Sequence, residues 1–226
     1  SVTVREAPRG PQYLQLGAAV FEDYESPNFN VAVAWTRMAV NRLGGELRAG
    51  AQFGQEPGLF AEWHQPLDPG LRWFIHLRGS LGERATSVFD DDGSRVMELA
   101  LRRGGGEIAL GRELGAWGEA RAGVLRDGGS VSVQTGDPAA MADGVFDTGE
   151  AFARLFIDEL DSVTFPRSGH LLRVRAAAGL EALGSDVAYE QFEAEGTLAV
   201  TRGRLTALLR GWAATCLLYT SDAADE

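Results

Sequence analysis

Apolar and polar residues alternate strictly along several segments of this chain. Residues 47–53 place Leu, Ala, Ala and Phe on one side of an extended chain and Arg, Gly and Gln on the other. Residues 73–78 oppose Trp, Ile and Leu to Phe, His and Arg, and residues 172–180 oppose Leu, Val, Ala, Ala and Leu to Arg, Arg, Ala and Gly. Successive strand side chains point to opposite faces, so each segment predicts a strand with one apolar and one polar face. A transmembrane β-barrel, with lipid outside and water inside, requires such strands.

Bulk composition limits the classes of protein that this alternation fits. The 226 residues are enough for one barrel or two small domains. No run approaches about 18 consecutive apolar residues, which excludes transmembrane helices, whereas barrel strands need no such run. The formal net charge is −11 and all 21 basic residues are arginine. We do not expect nucleic acid as a partner of so acidic a chain.

Short predicted strands and turn-forming clusters follow one another along the whole chain. Clusters of Gly, Pro and Asp are expected to end strands, because Gly allows positive φ and Pro fixes φ; they lie at 43–45, 55–58, 68–70, 91–93, 104–106 and 127–129. The longest loop is expected at 137–147. This regular spacing predicts an antiparallel meander of about eleven to thirteen strands, near 12–21, 28–41, 46–54, 59–67, 72–83, 95–102, 107–113, 118–126, 130–135, 149–158, 169–181, 187–200 and 203–213.

Two architectures fit this meander, a transmembrane barrel and a soluble β-sandwich that acts as a binding module. The polar face mixes charges of both signs with Gly and Ala, as in a packed or watery lumen, and the other face stays apolar in strand after strand. Aromatic residues near predicted strand ends fit an interfacial girdle, namely Phe21, Phe29, Phe53, Trp73, Trp117 and Trp212. The sequence therefore favours an all-β, antiparallel up-and-down transmembrane barrel.

Charged residues on the polar face carry the main functional signal. We expect them to face the lumen and to pair across neighbouring strands. Such residues either determine what fills or passes a pore or only hydrate and brace its wall. The predicted lumen-facing set is Arg48, Glu62, Arg78, Glu98, Glu119, Arg154, Arg173 and Arg175.

The sequence lacks motifs for catalysis, cofactors or metals. It contains no G-x-S-x-G and no H-E-x-x-H, and without lysine it contains no Ser-x-x-Lys. The histidines His64, His76 and His170 lie on different predicted strands without metal-ligand spacing. Residues 90–94 fit an acidic hairpin turn better than a calcium loop, and a strand instead of a helix follows glycines 104–106. We therefore expect no enzyme activity, no cofactor and no metal.

Four segments resemble the surface-antigen family of bacterial outer-membrane barrels, which includes barrel assembly factors and two-partner secretion transporters. Residues 41–48 and 59–67 are similar to its second hairpin and the following strand, and residues 183–186 fit a later hairpin loop. The family's most recognisable periplasmic turn is matched by Asp158, Asp161, Phe165, Pro166 and Gly169. As two nearby carboxylates, Asp158 and Asp161 also suit acid–base chemistry, but their place before Phe165 and Pro166 favours a structural turn.

This resemblance implies a fold, a location and a function. The family's barrel has about sixteen strands in the bacterial outer membrane, so this chain would hold most of an incomplete barrel. It looks most like the barrel that follows a patatin-like lipase domain and one POTRA domain. Residues 1–9 would then end a POTRA-like periplasmic domain, and residues 10–215 would form the partial barrel. The implied role is to anchor an upstream passenger, with its translocation as an added role; the alternative is an assembly or secretion pore. The implied partners are outer-membrane lipid, the barrel assembly machinery and the passenger domain.

The last eleven residues, 216–226, resemble a translated transposase adaptor from sequencing-library preparation. We predict that they form a non-native tail and that the native sequence stops near Thr215, although an ordinary polar C-terminus is the alternative. Segments of this kind are excluded from reasoning about the fold. The single cysteine, Cys216, would be lost with this tail, and with it any argument from disulfides or thiols.

Overall fold

The computed structural model describes residues 11–23, 26–90, 92–136 and 144–219. The predicted POTRA-like segment at 1–9, Asp91 of the acidic turn, the centre of the predicted loop at 137–143 and the final residues 220–226 lie outside the described residues. Eleven strands are described: β1 (Gln12–Asp23), β2 (Ser26–Arg37), β3 (Glu46–Gly54), β4 (Gly58–Pro66), β5 (Trp73–Phe89), β6 (Arg95–Glu113), β7 (Gly118–Thr135), β8 (Gly144–Asp158), β9 (Gly169–Gly179), β10 (Ala188–Arg202) and β11 (Leu205–Tyr219).

All eleven strands belong to one sheet, in which each strand lies between its neighbours in sequence. Strands pair in antiparallel registers, as in the β1–β2 hairpin at one edge of the sheet and the β10–β11 hairpin at the other. This arrangement confirms the predicted all-β, up-and-down fold. A sandwich needs two stacked sheets, so the soluble sandwich alternative is wrong. No helix in the described ranges is long and apolar enough to cross a membrane.

Strand registers preserve the alternation of the sequence across neighbouring strands. Residues directly opposite each other share a face of the sheet. On one face, Arg48 of β3 lies opposite Thr36 of β2 and Glu62 of β4. On the other face, Leu47 lies opposite Trp63 of β4. We call the first the polar face and the second the apolar face, and the apolar face is the one with many exposed large side chains.

Two predicted turns are wrong, because glycines 104–106 lie inside β6 and residues 127–129 lie inside β7. These strands run for 19 and 18 residues, so the predicted pairs of short strands merge and the count is eleven. Gly129 shows why glycine occurs in mid-strand, since a Cβ there would lie 2.2 Å from the carbonyl oxygen of Arg102. A strand glycine can therefore mark a close approach of another backbone instead of a turn.

Two predicted boundaries also differ from the structure. β8 begins at Gly144, so residues 144–147 of the predicted loop are strand. β11 continues through Cys216 to Tyr219, which lies opposite Ala188 of β10. The predicted tail therefore begins inside a strand, and its non-native origin stays a prediction.

Contacts divide the chain into two compact units. The first comprises Ser1–Pro66, Leu77–Gly106 and Gly128–Phe146, and the second comprises Leu67–His76, Glu107–Asp127 and Asp147–Glu226. In the second unit Ala109, Phe152 and Ala177 form a small buried cluster against Leu125. All three buried residues are on the polar face, so its charged side chains lie beside apolar packing.

Candidate functional site

The polar face of the first unit holds a cluster of three charges on three successive strands. Glu62 of β4 accepts a hydrogen bond of 2.7 Å from Arg78 of β5, and Arg48 of β3 lies 3.9 Å away on its other oxygen. Both guanidinium groups also lie over the ring of Phe60, at 5.3 Å and 6.0 Å from its centroid. We call Arg48, Glu62 and Arg78 the Glu62 cluster. The Glu62 carboxylate therefore links side chains of three successive strands, β3, β4 and β5.

A more deeply buried cluster lies in the second unit, around Glu107 of β6. Its Oε1 accepts a hydrogen bond of 2.9 Å from Nη1 of Arg154 on β8, and Nη2 of the same guanidinium forms an ion pair of 2.9 Å with Oε2. Nδ1 of His76 on β5 lies 3.8 Å from the same carboxylate, and the Glu107 side chain is only 6% exposed. We call His76, Glu107 and Arg154 the Glu107 cluster. Because β7 lies between β6 and β8 in the sheet, this bidentate pair links strands that are not neighbours.

Neighbouring arginines on β8 and β9 are compensated by separate carboxylates. Arg154 lies directly opposite Arg175, an arrangement of like charges that is unfavourable unless other groups neutralise it. Arg154 pairs with Glu107, while Arg175 forms an ion pair with Glu150, which also accepts a hydrogen bond from the Tyr189 hydroxyl. The carboxylates of Glu107 and Glu150 thus neutralise the two arginines, which can therefore lie side by side.

A groove of about 870 Å³ runs along the polar face of the second unit beside β11. Arg173 of β9 and Glu195 of β10 face each other there at 3.1 Å. Trp212 of β11 lies directly opposite Glu195 and therefore on the polar face, although it was predicted to belong to an aromatic girdle against lipid. This prediction is wrong because β11 continues to Tyr219, so Trp212 lies at the middle of the strand, and its register places it on the polar face.

The predicted charged set is brought together only in part. Arg48, Glu62 and Arg78 form one cluster, whereas Glu98 pairs with Arg95 and Glu119 with Arg121, each on its own strand. The main partners of the other predicted arginines were missed, namely Glu107, Glu150 and Glu195.

The sequence held a usable signal for one of these missed residues. Glu150 shares the two-residue period of Phe152 and Arg154 within β8, so parity alone places it on the polar face. Glu107 gives no such signal, because glycines 104–106 directly before it suit a turn as well as a strand. Within the described residues, no three His, Cys, Asp or Glu side chains are grouped as they are in a metal site.

The five residues of the predicted family motif lie at the turn between β8 and β9, from the last residue of β8, Asp158, to the first residue of β9, Gly169. Asp158 Oδ1 accepts a hydrogen bond from the Leu160 amide at 3.1 Å. Asp161 Oδ1 accepts hydrogen bonds from the amides of Arg167 at 2.8 Å and Ser168 at 3.1 Å. The two carboxylates therefore bind backbone amides of the turn itself.

Gly169 and the two other motif residues complete this turn. Gly169 has φ of +102°, and a Cβ there would lie 1.9 Å from the carbonyl oxygen of Glu159, so only glycine fits. Pro166 is buried, while the ring of Phe165 is 81% exposed. The Phe165 amide donates a hydrogen bond of 3.2 Å to the Ser162 hydroxyl, so the backbone of this residue belongs to the turn while its ring is exposed.

We predict that the Asp161 turn stabilises the protein in a pH-dependent way. Hydrogen bonds from the amides of Arg167 and Ser168 lower the pKa of Asp161 below its usual value. A carboxylate with a lowered pKa stabilises the folded state above its unfolded pKa of about 3.9, and this contribution is lost as pH falls through the folded pKa. Asp161→Asn should therefore lower the urea midpoint at pH 7, and the difference from wild type should shrink below about pH 4.

The measurement is urea unfolding of both proteins at pH 7 and pH 3. Glu159→Gln is the control, because the Glu159 side chain is half exposed. Its ion pair of 3.3 Å with His170 is exposed to a similar extent. The substitution should change the midpoint little at pH 7. A difference between wild type and Asp161→Asn that is the same at both pH values would contradict the prediction.

A meander of antiparallel strands with one ion-paired polar face and one exposed apolar face defines the wall of a transmembrane β-barrel. A model of the Omp85 superfamily domain matches residues 42–220, and the chain belongs to this superfamily. It is a bacterial outer-membrane β-barrel protein, which confirms the location that the resemblance implied.

Comparison with solved structures gives the same fold. The chain is similar to BamA from Haemophilus ducreyi lacking POTRA domains 1-3, with a TM-score of 0.73 and 10% sequence identity. The match covers 93% of this chain and 42% of that one, so the chain spans less than half of that structure. Among curated proteins, none matches the chain.

Proposed function

We propose that this chain is the membrane-embedded part of a protein that anchors an upstream passenger domain in the outer membrane and helps it to cross. The passenger class favoured by the sequence resemblance is a patatin-like lipase. In this proposal the polar face lines the lumen and the apolar face contacts lipid. In this proposal the chain acts through its wall.

The observation that carries this proposal is the separation of the two faces over complete strands. Arg173, Arg175 and Glu195 lie on one face of β9 and β10, while Leu172 and Val174 lie on the other. β10 has 15 residues and rises about 50 Å, enough for a tilted strand to cross a hydrocarbon core of about 30 Å. Ion pairs inside such a wall neutralise its arginines without exposing them to lipid.

An assembly or secretion pore for other polypeptides is the second candidate. It is favoured by the superfamily match over residues 42–220, because the family that the sequence resembles includes assembly factors and secretion transporters. The two candidates share the barrel and differ in what they serve. The first serves its own passenger, and the second serves many unrelated chains.

Tags inserted at the two ends of β10 test the membrane placement. One tag is inserted in the complete gene product after Leu183, and a matched tag is inserted at Gly203 in the β10–β11 turn. We expect antibody to reach the Leu183 tag on intact cells and the Gly203 tag only after the outer membrane is permeabilised. Equal access to both tags on intact cells, or recovery of the protein in the soluble periplasm, would overturn the proposal.

Deletion of the gene separates the two candidates. If the barrel serves its own passenger, the amounts of other outer-membrane proteins should stay at the wild-type level. A pore for general assembly would instead cause several unrelated barrels to decline together. Quantitative proteomics of isolated outer membranes, with the gene restored as the control, gives the answer.

A further inference from the structure

One arginine of the apolar face stands at the end of a column of exposed apolar residues. Ile108 and Leu110 of β6 are each about half exposed, and Arg112 continues their side of the strand toward its end at Glu113. The alternate residues Glu107, Ala109 and Gly111 are buried. Arg112 therefore lies on the face that contacts lipid in the proposed function, where a charged group needs a partner.

Arg112 is held against a tryptophan. Its guanidinium carbon lies 5.3 Å from the centroid of the Trp73 ring. The Glu113 amide donates a hydrogen bond of 2.8 Å to the Arg72 carbonyl, which fixes the end of β6 beside the start of β5. Asp68 Oδ1 accepts hydrogen bonds from the amides of Arg72 and Trp73, at 3.0 and 2.8 Å, so the turn before Trp73 is also fixed.

Arg112 has no carboxylate partner among the residues that the structure describes. The nearby Arg72 differs, because its Nε lies 3.6 Å from Asp68. A ring face attracts the cation but accepts no strong hydrogen bond, so the five N–H donors of Arg112 remain available. Trp117, in the short 3₁₀ turn that follows β6, adds a second half-exposed indole at this end of the strand. Indoles are enriched where the hydrocarbon core meets the headgroups.

We infer that Arg112 and Trp73 form a binding site for the headgroup phosphate of an anionic glycerophospholipid, phosphatidylglycerol in particular. The guanidinium would donate to the phosphodiester oxygens, and the indole would hold it at headgroup level. The β6–β7 turn lies at the same end of the antiparallel strands as the turn containing Asp161. This inference rests on the proposed function, which puts that end at the periplasmic leaflet, where glycerophospholipids are the lipids present.

Native mass spectrometry of the complete gene product, purified from outer membranes, tests the site with added phosphatidylglycerol or zwitterionic phosphatidylcholine. Wild type should retain phosphatidylglycerol preferentially, and Arg112→Gln should lose about tenfold in affinity for it, equivalent to one charge-assisted hydrogen bond. Arg126→Gln is the matched control, because Arg126 is exposed but already paired with Asp147 at 3.1 Å. It should keep the wild-type affinity.

Three results would overturn the site. They are unchanged phosphatidylglycerol binding by Arg112→Gln, equal retention of phosphatidylcholine by wild type, and tighter binding of lipid A than of phosphatidylglycerol. A folded band that resists SDS at room temperature shows that each variant is intact. Since the tag at Gly203 reports the sidedness independently, loss of the lipid preference with correct sidedness contradicts the site alone. Reversed sidedness contradicts the proposed function.

Discussion

Replacing Glu107 by Ala is expected to lower the free energy of unfolding by about 3–5 kcal/mol. The substitution removes the carboxylate that accepts a hydrogen bond from Nη1 of Arg154, pairs with its Nη2 and faces His76. The Arg154 guanidinium would then remain in a partly buried place without its counter-charge, which costs more than the loss of an exposed pair. Because the bond between Glu107 and Arg154 spans β7, its loss should also loosen strands that are not sheet neighbours.

An exposed ion pair provides the matched control. Glu56 accepts a hydrogen bond of 2.9 Å from Arg84, but these side chains are 34% and 68% exposed. Glu56→Ala should therefore cost no more than about 1 kcal/mol. Urea unfolding of the complete gene product in lipid vesicles, followed by tryptophan fluorescence, measures both variants. Equal losses of unfolding free energy in the two variants would show that burial of Glu107 contributes nothing. Glu107→Gln, which keeps the size of the side chain, separates the loss of charge from the loss of the side chain.

The two faces of the sheet could be predicted from the sequence because they depend on a local property. In residues 73–78 the period of two separates Trp73 and Ile75 from Phe74 and His76, and no knowledge of neighbouring strands is needed. The register between strands follows from the same separation of faces. A shift of one strand by one residue would move its charged side chains to the apolar face. The family motif from Asp158 to Gly169 is likewise local, because its hydrogen bonds join residues less than ten positions apart.

The pairing of charges could not be predicted in the same way. Arg154 is 47 residues from Glu107, and the choice between that carboxylate and the nearer Glu150 depends on the packing of β6, β7 and β8. The turns predicted at two glycine clusters are wrong for a related reason. Glycine at 104–106 and 128–129 suits both a turn and a crowded strand, and only the neighbouring strand decides between them.

Replacing Val174 by Arg is expected to lower the free energy of unfolding in lipid by about 2–4 kcal/mol. Val174 lies at the middle of β9, opposite Leu155 and Ala194 on the apolar face. An arginine at mid-strand on this face would lie far from both headgroup layers, unlike Arg112 at the end of β6. The arginines on either side, Arg173 and Arg175, are tolerated because they point to the polar face and pair with Glu195 and Glu150.

Urea unfolding in lipid vesicles measures this cost, with Val174→Leu as the control. Leucine keeps the site apolar and should change the free energy of unfolding by less than about 1 kcal/mol. If the face were in contact with water, Val174→Arg would also have a small effect, because surface substitutions usually stay within about 0.5 kcal/mol. A small effect of arginine would therefore contradict the assignment of this face to lipid, while a large effect of arginine alone would localise the hydrocarbon core to the middle of β9.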